Sequence, residues 1–319
     1  MINNVFIKVK ILNYCLVLVI LLSLVVIMLG AYTRLTNAGL GCPDWPGCYG
    51  YLILSNNYLM SALLKIKAGT EMLHRYFAGT LGLLIFLIIG QALYLRKYFK
   101  QNIIIITIIL CLLVILQALL GMWTVTMQLL PIVVIGHLFG GMLILSGLCY
   151  LWMQINNFAW YNNRWHGVMA IAILLICFQI ILGGLVSANY AGVACLGFPQ
   201  CNGNWLPSLN WAAFYHVFGK IGINYQGGIL DATSRVTLQY VHRVGAVIIF
   251  LYAIFLDIFL LKHIKIPIKR YLVYITMFLV VLQFILGIMN VIYLLPIQIA
   301  VAHTGIAALL LASFVMLIC

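Results

Sequence analysis

Long apolar runs separated by short polar segments dominate the hydropathy pattern of the chain. Eight runs reach the length of about 20 mostly apolar residues that a membrane-spanning helix needs. They cover residues 11–33, 72–95, 103–125, 132–153, 167–188, 236–260, 271–293 and 297–318. The pattern therefore predicts an all-α integral membrane protein with eight transmembrane helices.

Polar and special residues recur within this pattern at constant offsets. Five residues of the first outer loop each meet an identical residue 153 positions later: Gly39, Cys42, Pro46, Cys48 and Gly50. His74 corresponds in the same way to His242, and His137 to His303. Constant offsets indicate a duplicated unit. Because four helices is an even number, the copies have the same orientation, which predicts parallel repeats at residues 1–155 and 156–319 and disfavours an inverted-repeat transporter.

Composition and charge agree with a membrane location. The chain is 66% hydrophobic and 7% charged, against about 45–50% and about 25% in soluble domains. The predicted inner loops hold Lys8, Lys10, Arg96, Lys97, Lys100, Arg164, Lys262, Lys265, Lys269 and Arg270, and the outer loops hold Arg34, Lys65, Lys67, Lys220 and Arg235. This asymmetry predicts that both termini are cytoplasmic. It also accounts for the net charge of +13 without a nucleic-acid partner.

Four histidines fall near the outer ends of predicted helices two, four, six and eight, at one depth in the membrane. They are His74, His137, His242 and His303. A single histidine in an apolar helix is usually a hydrogen-bonded packing residue, but two repeat-related pairs favour metal or haem ligation. Zinc needs three or four protein ligands, whereas a haem between two facing imidazoles needs only two. Each repeat offers two histidines, so we predict axial haem ligation in each half.

Arginines and one glutamate accompany these histidines at the predicted helix starts. Arg75 and Arg243 follow a histidine directly, and they read either as interfacial arginines or as partners of haem propionates. Glu71 lies three residues before His74, on the same helix face, where the second repeat has Gln239. A carboxylate in an apolar segment is a functional candidate. It either accepts a proton or stabilises positive charge during catalysis, or it is an interfacial residue paired with Arg75 or a loop lysine.

The outer loops carry two Cys-x5-Cys pairs, Cys42 with Cys48 and Cys195 with Cys201. Both pairs lie on the oxidising side of the membrane, where disulfides persist. Proline and glycine residues within the loops favour the compact turns that such pairing needs. We therefore predict two intraloop disulfides, with a redox-active dithiol or a transient metal site as the alternatives.

Together these motifs resemble the haem A synthase family, in the bacterial branch that has loop cysteines. The resemblance rests on Gly39–Pro46 (GLGCPDWP), Glu71–Arg75 (EMLHR), Leu116–Gly121 (LQALLG) and His137, and on the repeat with His242 and His303. It extends over nearly the whole chain and implies oxidation of a ring methyl of haem O to the formyl group of haem A, for terminal oxidase biogenesis in the bacterial cytoplasmic membrane.

The resemblance also implies roles for the two halves. His74 and His137 are expected to hold the substrate haem O, with Glu71 as the catalytic residue beside the reacting methyl. His242 and His303 are expected to ligate a resident haem b. The implied partners are haem O synthase, an electron donor such as a ferredoxin, and membrane lipid.

Two other functions use the same four histidines. One is a dihaem b-type electron carrier or quinone oxidoreductase subunit, and the other is a haem carrier without catalysis. The electron carrier does not explain why a glutamate in one repeat is replaced by a glutamine in the other. That difference favours the enzyme.

Overall fold

The computed structural model describes residues 2–52, 61–156 and 165–318 and shows eight long α-helices within them. They are α1 (Ile2–Leu35), α2 (Ala62–Tyr94), α3 (Gln101–Thr126), α4 (Pro131–Ile155), α5 (His166–Ala188), α6 (Ala232–His263), α7 (Pro267–Ile292) and α8 (Ile297–Ile318). Each is long and apolar enough to cross a membrane. The predicted all-α membrane fold with eight spanning helices is therefore confirmed. Arg164, counted among the inner basic residues, lies outside the described residues.

Four helices begin at least four residues earlier than the hydropathy pattern predicted. α1 starts at Ile2 rather than at residue 11, and α7 starts at Pro267 rather than at 271. α2 starts at Ala62 rather than at residue 72, and α6 starts at Ala232 rather than at 236. Both have a side-chain cap, because Ser61 accepts a hydrogen bond from the N–H of Leu64 and Asp231 accepts one from Ser234. The first turns carry basic residues and so fall outside an apolar window. The prediction that Glu71 and His74 lie at the start of a helix was therefore wrong, since both lie well inside α2.

Each set of four consecutive helices closes into a bundle. Within the first set α1 packs on α2, α2 on α3, α3 on α4 and α4 on α1, and the second set packs in the same order. The sets meet through contacts of α4 with α8 and α5, and of α1 with α8. Helices α1, α4, α5 and α8 thus form the centre of the molecule. The duplication of a four-helix unit stays a prediction.

Apolar side chains fill the half of the molecule that lies away from the outer loops. One core cluster contains Leu12, Ile85 and Leu148, and another joins Leu145 of α4 to Phe314 of α8. On the opposite side, the long segment before α6 forms a short 3-10 helix, Trp211–Phe218, that packs on α6 and α4. These two large clusters leave the space for a ligand in the other half, near the outer loops, where smaller apolar clusters also lie.

Candidate functional site

Each of the four predicted histidines lies against a glycine of the preceding helix. A Cβ atom added at Gly30 would lie 3.0 Å from Cε1 of the His74 ring. The corresponding distances are 3.1 Å from Gly121 to His137, 3.1 Å from Gly183 to His242 and 3.3 Å from Gly287 to His303. The odd-numbered helices therefore provide glycine contacts, and the even-numbered helices provide the imidazoles. Only a residue without a side chain lets the ring approach so closely.

The imidazoles line one large cavity in the outer half of the molecule. The ring centroids of His74 and His137 are 6.4 Å apart, and their planes are nearly perpendicular. The cavity has a volume of about 1040 Å³ and also contains His242 and His303 in its wall. This volume lies at the upper end of the usual range for ligand pockets, about 300–1,000 Å³. The structure thus brings all four predicted histidines to the same space.

Glutamines contact three of the four histidines. The Nε2 of Gln117 donates to the backbone carbonyl of His137 at 2.7 Å, and the Nε2 of Gln179 donates to that of His242 at 2.8 Å. The Nε2 of Gln283 lies 3.2 Å from a ring nitrogen of His303. At the position of α1 that corresponds to Gln179, the first half has Val26. His74 therefore lacks the glutamine contact that the other three histidines have.

The donor set suits haem better than a metal ion bound by protein alone. The buried Nδ1 atoms of His74, His137 and His303 make no hydrogen bond among the described residues. In those parts of the chain, no three His, Cys, Asp or Glu side chains group at a spacing suited to a metal ion. Imidazole pairs on an apolar cavity between helices can supply the two axial ligands of a haem iron.

Glu71 and Gln239 occupy equivalent positions and attach the outer loops in the same way. The Oε2 of Glu71 accepts a hydrogen bond from the N–H of Cys42 at 2.9 Å, and the Oε1 of Gln239 accepts one from Cys195 at 2.6 Å. The second carboxylate oxygen of Glu71 is bound by Arg75. That ion pair matches one alternative left open by the sequence. Since Glu71 also lines the cavity, the pairing leaves its predicted catalytic role open.

The two arginines after the histidines bind loop carbonyl groups. Arg75 donates to the carbonyl oxygens of Asp44 at 2.9 Å and Gly47 at 2.7 Å. Arg243 donates to Gly197 at 2.8 Å and also to Cys195. Both arginines border the cavity. Their present partners are thus backbone oxygens of the cysteine loops, and binding of a haem propionate by either stays a prediction.

The cysteine loops lie over the outer end of the cavity. In the structure Cys42 is bonded to Cys48 and Cys195 to Cys201, each pair with Cα atoms 4.8 Å apart. Asp44 stabilises the first loop by accepting hydrogen bonds from the N–H groups of Gly50 and Tyr49. These donors, Gly50 first, hold the pKa of Asp44 below its ordinary value. The two loops are therefore compact, and hydrogen bonds to Glu71 and Gln239 hold them over the outer end of the cavity.

Sequence reasoning missed one charged residue of the cavity, Arg34. It was assigned to an outer loop, but it lies in the last turn of α1 and lines the cavity. Its guanidinium donates to the carbonyl of Ser187 at 2.5 Å and lies 3.8 Å from the centre of the Tyr190 ring. The offset of 153 maps Arg34 onto Ser187. A charged residue in the first repeat thus corresponds to an uncharged one in the second, as Glu71 corresponds to Gln239. This difference in charge could have identified Arg34 from the sequence.

The fold and the site define a multi-pass all-α membrane protein with imidazole pairs suited to haem. The chain belongs to the cytochrome oxidase assembly protein family COX15-CtaA, whose family model matches residues 13–315. The predicted membership is therefore confirmed.

Relatives that match most of the chain carry the name Heme A synthase, and three of them illustrate the similarity. The protein of Shewanella oneidensis is 36% identical, and the match covers 95% of this chain and 94% of the relative. The proteins of Neorickettsia sennetsu and Rickettsia felis are each 26% identical, with matches covering 92% of this chain and 93% of the relative. The similarity thus extends over almost the whole length of both chains.

Proposed function

We propose that the protein acts as a haem A synthase, an oxidoreductase that converts a ring methyl of haem O to the formyl group of haem A. Family membership and the names of its relatives support this reaction. The observation that carries it is the cavity with two imidazole pairs, beside only one of which the chain has a carboxylate. An electron carrier or a passive haem carrier has no need of that difference.

In this proposal the halves have separate roles. His74 and His137 hold the substrate haem O, and His242 and His303 hold a resident haem b. When bound, haem b supplies one-electron transfer. The chain contributes the imidazoles that would hold the two haems, a cavity wall that is mainly apolar, and two loops that cover its outer end and limit the access of water. Haem O synthase as the source of substrate and an electron donor such as a ferredoxin are the partners in the same proposal.

Glu71 is the proposed catalytic residue. With water as the oxygen source, conversion of a methyl to a hydroxymethyl group and then to an aldehyde releases four protons and four electrons in all, and the electrons would leave by the one-electron transfer that a bound haem b supplies. Removal of electrons from the methyl group would build positive charge beside the ring. A fixed carboxylate lowers the energy of that charge in a site with little water and can accept a proton. The pairing with Arg75 and the N–H of Cys42 holds the carboxylate in place at the cavity wall.

The proposed location is the bacterial inner membrane, with both termini in the cytoplasm. The excess of basic residues in the predicted inner loops supports this orientation. A reporter that is active only in the periplasm, fused after residue 318, is expected to be inactive. Activity of that fusion would reverse the orientation.

Co-expression with a source of haem O tests the function directly. Pigments are extracted from membranes and separated by chromatography. Haem A is expected with the native chain and not with the His74→Ala variant. Unchanged haem O bound to the purified protein would instead identify a haem carrier, and haem B alone would identify an electron carrier.

A further inference from the structure

Arg34 is a half-buried cation that pairs with no acidic side chain among the described residues. It lines the cavity at the outer end of α1, and its Nε is buried without a hydrogen-bond partner among the described residues. The hydroxyl of Tyr190, whose ring stacks on the guanidinium, is buried and unpaired in the same sense. Two hydrogen-bond donors thus lie together at the cavity without an acceptor.

All four acidic residues of the chain are engaged or placed elsewhere. Glu71 pairs with Arg75, Asp44 binds the N–H groups of its own loop, and Asp231 caps α6. Asp257 is buried fifteen residues after His242 in α6, which is roughly 22 Å further along the helix. A buried charge is costly unless it is paired. An anion that enters the cavity would supply the partner that Arg34 lacks.

Arg75 and Arg243, the arginines that directly follow ligand histidines, are less suited than Arg34 to binding such an anion. Arg75 and Arg243 already donate to several loop carbonyl groups. Among the described residues the Arg34 guanidinium donates to one carbonyl group, that of Ser187, and otherwise contacts the Tyr190 ring. A guanidinium presents donors in a planar fork that matches a carboxylate, and the phenol of Tyr190 adds another donor of the right kind.

We propose that Arg34, assisted by Tyr190, binds a propionate carboxylate of the haem held by His74 and His137. This inference rests on the proposed function, because it takes that haem as the ligand. Arg34 lies one helical turn beyond Gly30, the glycine that contacts His74, so it belongs to the first site. Its bond to Ser187 of α5 also fixes the bound carboxylate against the second half of the molecule.

The test compares ferric haem B with its dimethyl ester, which lacks both carboxylates. The full chain is produced in haem-deficient cells, and each pigment is titrated by absorbance. A His242→Ala background leaves the first site as the one measured. The free acid is expected to bind about tenfold or more tightly than the ester, because a charge-assisted hydrogen bond usually increases affinity by that amount.

Variants of Arg34 and Tyr190 then test which side chain causes the preference for the free acid. Arg34→Met is expected to bring the ratio of the two affinities close to one, and Arg34→Lys to keep part of it. Tyr190→Phe is expected to reduce it by about fivefold. The matched control is Arg270→Met. Arg270 also donates to carbonyl groups at a helix end, but it lies in the first turn of α7, far from Gly287, the residue of α7 that contacts His303. In a His74→Ala background the second site is the one measured, and Arg34→Met is expected to leave the ratio of free-acid to ester affinity there unchanged.

Equal binding of acid and ester by the native first site would overturn the inference, as would an undiminished preference in Arg34→Met. The latter result would make Arg34 a structural link between α1 and α5. If Arg34→Met does not fold, Arg34→Lys, Tyr190→Phe and the native comparison still decide. A chain that prefers the acid but forms no haem A would refute the proposed function alone, and a chain that forms haem A without that preference would refute this inference alone.

Discussion

At the scale of single residues, Glu71 and Gln239 differ in charge and hardly in structure. Each accepts a hydrogen bond from the first cysteine of its loop, at 2.9 and 2.6 Å respectively. Gln239 therefore demonstrates that an amide can attach such a loop to its helix. Replacing Glu71 by glutamine should remove the charge while keeping the loop in place, which separates a chemical role from a structural one.

Glu71→Gln is expected to retain bound haem and thermal stability but to lose conversion of haem O. The expected decrease is about 100-fold or more, because a positioned acid or base commonly contributes 10²–10⁴-fold. Haem A formed per bound haem is the quantity to measure.

Asp231→Asn makes the same chemical change at a helix cap outside the cavity. Asparagine caps a helix about as well as aspartate, so this control should convert haem O normally. Undiminished conversion in Glu71→Gln would remove Glu71 from the chemistry.

The residues that sequence reasoning found and missed differ in a physical way. Histidines and a glutamate in apolar segments stand out because burying them is costly. Arg34 escaped notice because it sits at the end of an apolar run, where an arginine is ordinary. The glycines escaped because their role depends on the approach of a neighbouring helix, which no local pattern records.

At the scale of helices, the histidines are presented by four adjacent pairs, each of one odd and one even helix. The pairs are α1 with α2, α3 with α4, α5 with α6 and α7 with α8, and in each the glycine of the first helix contacts the histidine of the second. Apolar length predicted that these helices exist. It did not predict where α2 and α6 begin, because their first turns carry basic residues and are stabilised by caps at Ser61 and Asp231.

Gly183→Ala tests whether these glycine contacts set the position of a ligand. The added Cβ would lie 3.1 Å from Cε1 of His242, so the ring must move by a few tenths of an ångström. Overpacking of this kind costs about 1–3 kcal/mol, and haem affinity at the second site should fall by about five- to 150-fold. Titration with haem B in a His74→Ala background measures it.

Gly90→Ala is the matched control for that experiment. Gly90 is also within a spanning helix, but nothing lies within 4 Å of an added Cβ. Alanine there should leave haem affinity unchanged and raise stability by at most about 1 kcal/mol, through helix propensity. Equal haem affinities in the two variants would show that the glycine contact does not position His242.

At the scale of the whole molecule, two helical bundles share one cavity. The constant offsets in the sequence predicted matching halves, and the apolar runs predicted eight helices. The sequence did not predict that the cavity would be continuous between the halves. Helices that are apolar on all sides carry little information about which faces meet, so the central packing of α1, α4, α5 and α8 emerges only from the assembled structure.

The two pairs of histidines on the cavity differ in their surroundings, which predicts which half of the purified protein retains a bound haem. If the second half holds a resident haem b, His242→Ala should abolish the haem absorbance of the purified protein made without haem O. His74→Ala should leave that absorbance intact, because the first half would hold haem B too weakly to keep it through purification, although it binds haem B that is added in a titration. Glutamine contacts at His242 and His303, and the lack of one at His74, agree with firmer ligation in the second half, since groups that orient a ligand strengthen its bond. Absorbance retained in His242→Ala and lost in His74→Ala would exchange the roles of the two halves, and the carboxylate of Glu71 would then lie beside the resident haem.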